Sequence, residues 1–355
     1  MFDCADDVLA YHNDEVTLPQ AERDAMRGRR DANRKRLKDG LEEDKRPAPI
    51  ELKSQGSYAM KTMVQDPSRD YDVDDGAYFA KEDLVGARGA EMSALDVRQM
   101  VRDAIDDGSF KTAPEVRKNC VRVTYSAGYH VDVPAYRRVV AKDILGNDVV
   151  HHELASTDWK RSDARDVTEW FEAENARQSP DKDNGRQLRR LTRYLKKFAR
   201  SRSSWRRQIL GGLGITKLVT ECYRADPSRE DQALYDTMKA VHDRLVFDLV
   251  VKHPVTPDDT ITDGLEDSKA RVLREKLSDA LDWLKPLHES DCTRVEALGC
   301  WDKVFSTSFF GDRAEDAAAK SVGAPSILTS GMLKSIASSP EAQGAVRKEG
   351  GGRYA

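Results

Sequence analysis

The sequence predicts an α/β (α+β) fold, a mixed α/β core followed by a helical domain, and three observations predict it. Between about residues 51 and 155 short β-rich runs alternate with helical stretches; from about 157 to 310 helical periodicity dominates; and the chain before residue 50 reads as one charged helix. The 355 residues leave room for about two domains, and 39% apolar content is enough to build buried cores. The expected organisation is 1–50 as an N-terminal helical spine, 51–155 as the core, 156–310 as the helical domain and 311–355 as a flexible tail.

Each element has a local reason. Residues 19–45, which begin PQAERDAMRGRRDANRKRLKDGLEE, carry alternating-sign charge and suit a long, largely solvated helix, which the prolines of KRPAPI then break. VRVTY (121–125), the turn SAG and YHVDV (129–133), ending at Pro134, read as two strands of a hairpin. DARDVTEWFEAENARQ, GRQLRRLTRYLKKFARSR and DSKARVLREKLSDALDWLKPLHE read as helices. After Phe310 the composition shifts to Ala, Ser, Gly and charge, ending EGGGRYA, which predicts a loosely held tail. Charged residues make up 34% with a net charge of −4, so no whole-protein field favours nucleic acid or membrane, and such a partner needs a local patch. With no run of about 18 apolar residues and an acidic start, the expectation is a cytoplasmic chain without a membrane partner. Five scattered cysteines with no C-x-x-C pair read as reduced thiols filling the core.

The stretch GSYAMKTMVQDPSRDYDVDDGAYF (56–79) crowds Asp70, Asp72, Asp74 and Asp75 together, although like charges at this spacing repel unless a cation sits among them. As a strand, DYDVDD places Asp72 and Asp74 on one face and Val73 on the other. The same alternation in YHVDVP turns Val131 and Val133 inward and sends His130 and Asp132 to the opposite side, where a neighbouring strand supplies a third carboxylate. Three such oxygens are hard ligands suited to Mg²⁺ or Mn²⁺ alongside substrate phosphates, the material of a two-metal phosphoryl-transfer site. Upstream, Gly56 lets backbone approach a phosphate, and Ser57 is expected to cap the SYAMKTM helix and offer a hydroxyl.

Other readings fit less well. A solvated acidic loop leaves Val73, Tyr78 and Phe79 unexplained. A calcium loop starting at Asp70 needs Gly where Asp75 stands and Glu where Lys81 stands. GGLGITK (211–217) lacks the spacing of a P-loop or Rossmann turn, and HHELAS (151–156) has Ser156 where a zincin needs its second His, which leaves His151 and His152 as surface or hairpin-edge residues. Residues 186–207 hold ten Lys and Arg and no acid. Leu188, Leu191, Leu195 and Phe198 mark a buried face; Arg189, Arg193, Lys196 and Arg200 form an adjoining stripe suited to phosphates, with Arg190 and Lys197 further round.

QGSYAMKTM, DYDVDDGAYF, YHVDVPAYR, DWKRSD followed by EWF, RRLTRYLKKF and GLGIT, in this order between about Leu52 and Phe310, together resemble the bacterial cGAS/DncV-like nucleotidyltransferases (CD-NTases), relatives of cyclic GMP-AMP synthase and oligoadenylate synthetase. The resemblance implies a polymerase-β-like nucleotidyltransferase core with a mixed sheet and a C-terminal helical domain, bilobed, with the active site in the cleft. It implies that Asp72, Asp74 and Asp132 hold two Mg²⁺ ions, or Mn²⁺, with Asp132 also suited to deprotonate an attacking ribose hydroxyl. Gly56 and Ser57 would grip the donor triphosphate, Lys196 would steady it and Thr216 would add a hydroxyl, although GLGITK departs from the small-residue and serine pattern of that segment; Asp70 and Asp75 would be structural. The implied activity is synthesis of a cyclic di- or trinucleotide from NTPs, ATP favoured, in anti-phage (CBASS) signalling. Implied partners are a HORMA-type regulator and an activating nucleic acid on the basic helix at 186–207. The alternatives are a transferase making linear oligonucleotides or nucleotidylating RNA or protein, and a nucleic-acid-binding protein that uses the Arg-rich helix.

Overall fold

The computed structural model describes residues 1–69, 71–86, 89–126 and 128–321, with backbone alone over 316–321. Contacts divide the chain into two compact units: Leu18–Arg177, and Met1–Thr17 together with the chain from Gln178 onward. These limits differ from the expected breaks at 50/51 and 155/156, and the packing of the first two helices explains why. Helix α1 (Ala5–Tyr11) puts Tyr11 against Phe305 and Phe310, with ring centroids 4.7 and 5.0 Å away, so it joins the helical unit. Helix α2 (Gln20–Glu43) buries Met26, Leu37 and Leu41 in the core of the sheet unit. It is therefore amphipathic rather than largely solvated, one stripe facing the sheet and the charges facing out.

In chain order the sheet unit continues with β1 (Glu51–Gln55), α3 (Gly56–Ala59), β2 (Tyr71–Ala80), α4 (Ala94–Ile105), β3 (Glu115–Val116), β4 (Val121–Thr124), β5 (Tyr129–Val133), β6 (Ala135–Lys142), β7 (Asp148–Ala155), β8 (Trp159–Arg161) and α5 (Ala164–Gln178). The eight strands form one mixed sheet. β1 runs antiparallel to β2, and β2 runs parallel to both β5 and β6. The offset is the same in both parallel ladders, Tyr71 facing Tyr129 and Ala77 facing Ala135, so β5 and β6 are one long strand interrupted at Pro134. Proline has no N–H for a ladder, but its carbonyl still accepts from the Ala77 amide at 2.9 Å. The expected hairpin forms, with Val121 opposite Val133 and Arg122 opposite Asp132, and Ala127 of its turn lies outside the described residues. Tyr71, Val73, Tyr129, Val131 and Val133 go into the core beneath α2 and α4, which leaves the alternate positions of both strands on the other face.

The helical unit comprises α6 (Gln187–Arg200), α7 (Gly212–Cys222), α8 (Glu230–Phe247), α9 (Ser268–Trp283), α10 (Arg294–Phe305) and α11 (Phe309–Ser321), with α1 and a π-helical turn at His12–Val16. Leu188, Leu191, Leu195 and Phe198 are its buried stripe, as periodicity predicts. Two features anchor the start of the chain here: the Tyr194 hydroxyl donates to the Val8 carbonyl at 2.8 Å, and buried Asp7 pairs with Arg294 and Arg313 at 2.9 and 3.0 Å. The tail expected from residue 311 thus begins as helix α11, because Phe310 is buried against Trp301 and Phe305 and Arg313 has an acid to meet. Residues 322–355, GGGRYA included, lie outside the described residues. No described helix is long and apolar enough to cross a membrane. All five cysteines are free, and Cys4, Cys222 and Cys300 are buried.

Candidate active site

The site grows from the strand alternation. Parallel register sets Asp72 beside His130 and Asp74 beside Asp132, so three carboxylates from two adjacent strands share the face turned away from the core. Asp72 is exposed, Asp74 half-buried and Asp132 buried. Burial first, then the charges of Asp132 and Asp72, push the Asp74 carboxyl up to about 7 against the lowering pull of Arg122. Asp75, on the opposite face, is buried and held by the two-toothed grip of Arg34, both contacts at 2.6 Å, with the Ser54 hydroxyl donating to it at 3.0 Å. Its role is structural: it ties α2 to the sheet. Asp70 lies outside the described residues.

Gly56 sits where β1 turns into α3, at φ +61°, which favours glycine, and a Cβ there would collide with the Asp74 carboxylate. The backbone turn is thus packed directly on one of the three acids. Helix α3 is a single turn with Gln55 at its N-cap position and no side-chain cap, so Ser57 is its second residue rather than its N-cap. Asp74 faces Gln55 in the β1–β2 register, so the acids and the Gly56-Ser57 turn meet at one end of that ladder. Beneath the turn runs a buried polar chain. The Tyr136 hydroxyl donates to Gln55 at 3.2 Å, the Gln55 amide donates to the Tyr78 oxygen at 2.6 Å, and the Tyr78 hydroxyl donates to Asp163 at 2.9 Å. Arg165 covers the Tyr78 ring at 4.0 Å and pairs with Asp163 and Glu51, each at 2.6 Å. A side chain on Gly76 would displace the Gln55 amide. His152, expected at a surface or edge, packs edge-on to Tyr78 and lies 3.0 Å from Asp163.

The counter-ion of the acids is Arg122 on β4. Its Nε and Nη2 donate to the two oxygens of Asp132 at 2.8 and 2.7 Å, and Nη2 lies 3.3 Å from Asp72. Among the described residues, no group of three or more His, Cys, Asp or Glu is arranged as an ion cage. The donor set nonetheless fits a divalent ion: hard carboxylate oxygens on one face, with a guanidinium already bridging two of them. Burial and Asp132 push the neighbouring Cys120 thiol up to about 12, so it is no nucleophile. Arg122 lies outside the motifs that carry the resemblance. The hairpin register carries the signal, since a turn at 126–128 that pairs Thr124 with His130 also pairs Arg122 with Asp132.

Lys196 and Thr216 lie in the helical unit. Lys196 is buried, its amine 3.8 Å from where a Cβ on Gly212 would stand, at the start of α7. Burial and then the charges of Arg200 and Arg193 lower it to about 7. Thr216 is fully buried and its hydroxyl donates to the Gly212 carbonyl at 2.8 Å, so it is spent inside its own helix. The basic stripe also differs from expectation. Arg189, Arg190 and Lys196 are buried, so they do not form a solvated face for nucleic acid. Arg190, expected further round, pairs with Glu230 at 2.7 Å and Asp181 at 2.6 Å, acids brought from outside the helix. Arg193 donates to His12 at 3.3 Å, and burial followed by Arg193 lowers that imidazole to about 3, keeping it neutral.

Three acids on neighbouring strands thus stand together beside a Gly-Ser turn. Residues 50–136 match the family model described as the nucleotidyltransferase domain of cyclic GMP-AMP synthase DncV-like proteins, and the chain is a nucleotidyltransferase carrying that domain. The match spans Gly56, Ser57, Asp72, Asp74 and Asp132 and ends before Lys196 and Thr216. Solved structures agree in fold. Escherichia coli DncV bound to 3′-deoxy GTP is 16% identical, with 83% of this chain and 93% of that chain covered at a TM-score of 0.63. The Vibrio cholerae DncV cyclic AMP-GMP synthase is 16% identical, with 86% and 96% covered at 0.66. Its complex with the linear intermediate 5′ pppA(3′,5′)pG covers 83% and 93%, at 16% identity and 0.64. At that identity the likeness is one of fold.

Proposed function

We propose that the protein joins nucleoside triphosphates into a cyclic oligonucleotide, a signalling product of the CBASS type, with Mg²⁺ bound by Asp72, Asp74 and Asp132. The observation that carries this reading is the register that puts Asp74 beside Asp132 and Asp72 beside His130, next to the Gly56 turn. A divalent ion bound there stabilises the charge of the attacking and leaving oxygens. A ribose hydroxyl attacks the α-phosphorus of a bound NTP, its proton passes to Asp132, a P–O bond forms, and the bond to the β-phosphate breaks to release pyrophosphate. The Gly56-Ser57 backbone and hydroxyl orient the triphosphate. A second transfer within the linear product closes the ring. The DncV structures, whose names record a cyclic AMP-GMP synthase and a linear pppApG intermediate, support a cyclic product.

The test is incubation of the purified protein with each labelled NTP, and with mixtures, in Mg²⁺ or Mn²⁺. Expected is a phosphatase-resistant product whose mass fits a ring, with at least roughly a thousandfold loss in Asp74→Asn. Phosphatase-sensitive oligonucleotides alone would favour a linear synthetase; wild-type rates in Asp74→Asn would remove the carboxylate mechanism.

A further inference from the structure

Arg122 contacts two of the three acids, and its geometry has a consequence for how the site takes up metal. The fork fills both oxygens of Asp132 and leans on Asp72, so two of the three carboxylates are engaged by one side chain. We propose that Arg122 occupies the place of the divalent ion and competes with it, closing the site to metal until the guanidinium swings off Asp132. The inference rests on the reading above, that Asp72, Asp74 and Asp132 are the ion's ligands.

Three observations support it. First, Arg122 stands directly across the hairpin from Asp132, so its position is fixed by the ladder and not by a mobile loop. Second, Asp132 is buried and Arg122 half-buried, so the pair is shielded from solvent and its attraction exceeds that of an exposed ion pair. Third, the approach is bidentate, which leaves neither Asp132 oxygen without a donor. An ion binding Asp132 must break at least one of these hydrogen bonds, and like charge disfavours a guanidinium and a divalent ion sharing one carboxylate. The head sits on four rotatable bonds, so it can leave without shifting either strand. The phosphates of an incoming nucleotide are a natural alternative partner for it.

The test uses Mn²⁺ alone, without nucleotide, titrated into the full chain by calorimetry, with the Mn²⁺-induced rise in melting temperature as a second readout. Arg122→Gln is expected to bind Mn²⁺ roughly tenfold tighter than wild type, the value of about one charge-assisted hydrogen bond. It should also show the larger melting shift. Arg122→Lys keeps the charge and loses the fork, and is expected to fall between the two. If Arg122→Lys matches wild type, net charge rather than occupancy governs the site and the proposal is overturned. It is equally overturned if Arg122→Gln binds no tighter. Asp132→Asn separates the two readings: loss of the Mn²⁺ response supports the ligand assignment whatever Arg122 does, whereas an unchanged titration removes that assignment itself.

Discussion

The two units treat charge in opposite ways. In the sheet unit three acids stand together on one face with Arg122 on two of them, and burial with mutual repulsion raises Asp74 far above the ordinary carboxylate range. On α6 the cations are as crowded, yet Arg190 is neutralised by Glu230 and Asp181, and Arg193 rests on a neutral imidazole. Acids crowded until one of them resists ionisation mark a place that a cation relieves. Relieved charge marks the place that holds the fold together.

Substitutions can break this contrast, and the largest effect is expected at Arg190. Arg190→Met takes the guanidinium away from buried Glu230 and half-buried Asp181 and should destabilise the protein by about 3–5 kcal/mol in chemical denaturation. Asp74→Asn should leave metal-free stability at pH 8 unchanged or raised. A carboxyl raised from 3.8 to about 7 on folding imposes no penalty below pH 4 and its full penalty above 7, and asparagine removes it. If both substitutions destabilise equally, the contrast is wrong.

A smaller effect, visible as pH dependence, is expected at Lys196. Folding lowers this amine from 10.5 to about 7, so its desolvation penalty is complete below pH 7 and fades as pH rises toward 10.5. Wild-type stability should carry a rising contribution in that window, with a slope of at most about 1.4 kcal/mol per pH unit, and Lys196→Met should lack it. Gly56→Ala should lose about 1–3 kcal/mol through the strained φ and the collision with Asp74, with nucleotidyl transfer falling more steeply than stability. The smallest effect is expected for Thr216→Val, with the apparent KM for NTP within about twofold of wild type, because its hydroxyl never leaves α7. A large rise in KM would return Thr216 to the nucleotide.

The same contrast explains what could be read in the sequence. Period-two alternation is a local rule, so DYDVDD and YHVDV display their inward valines and outward acids without knowledge of the rest of the chain, and Val73, Val131 and Val133 are buried as expected. The stripe of Leu188, Leu191, Leu195 and Phe198 is local in the same sense. The fate of Arg190 was not legible, because the acids that claim it come from 9 and 40 residues away. The Gln55–Tyr78–Asp163 chain was equally hidden, its members lying 23 and 85 residues apart. The hydrogen bond of Thr216 has a local cause: a threonine inside a helix has a carbonyl four residues back within reach, and a buried hydroxyl takes it.

The helical unit is assembled from both sides of the sheet unit in chain order, and this bears on the order in which the protein takes shape at the ribosome. Leu18–Arg177 is contiguous and can close its core while the remainder is still being translated. Tyr11 and Asp7, made before any of it, must wait for Phe305, Arg294 and Arg313, so residues synthesised ahead of the sheet unit find their places after it.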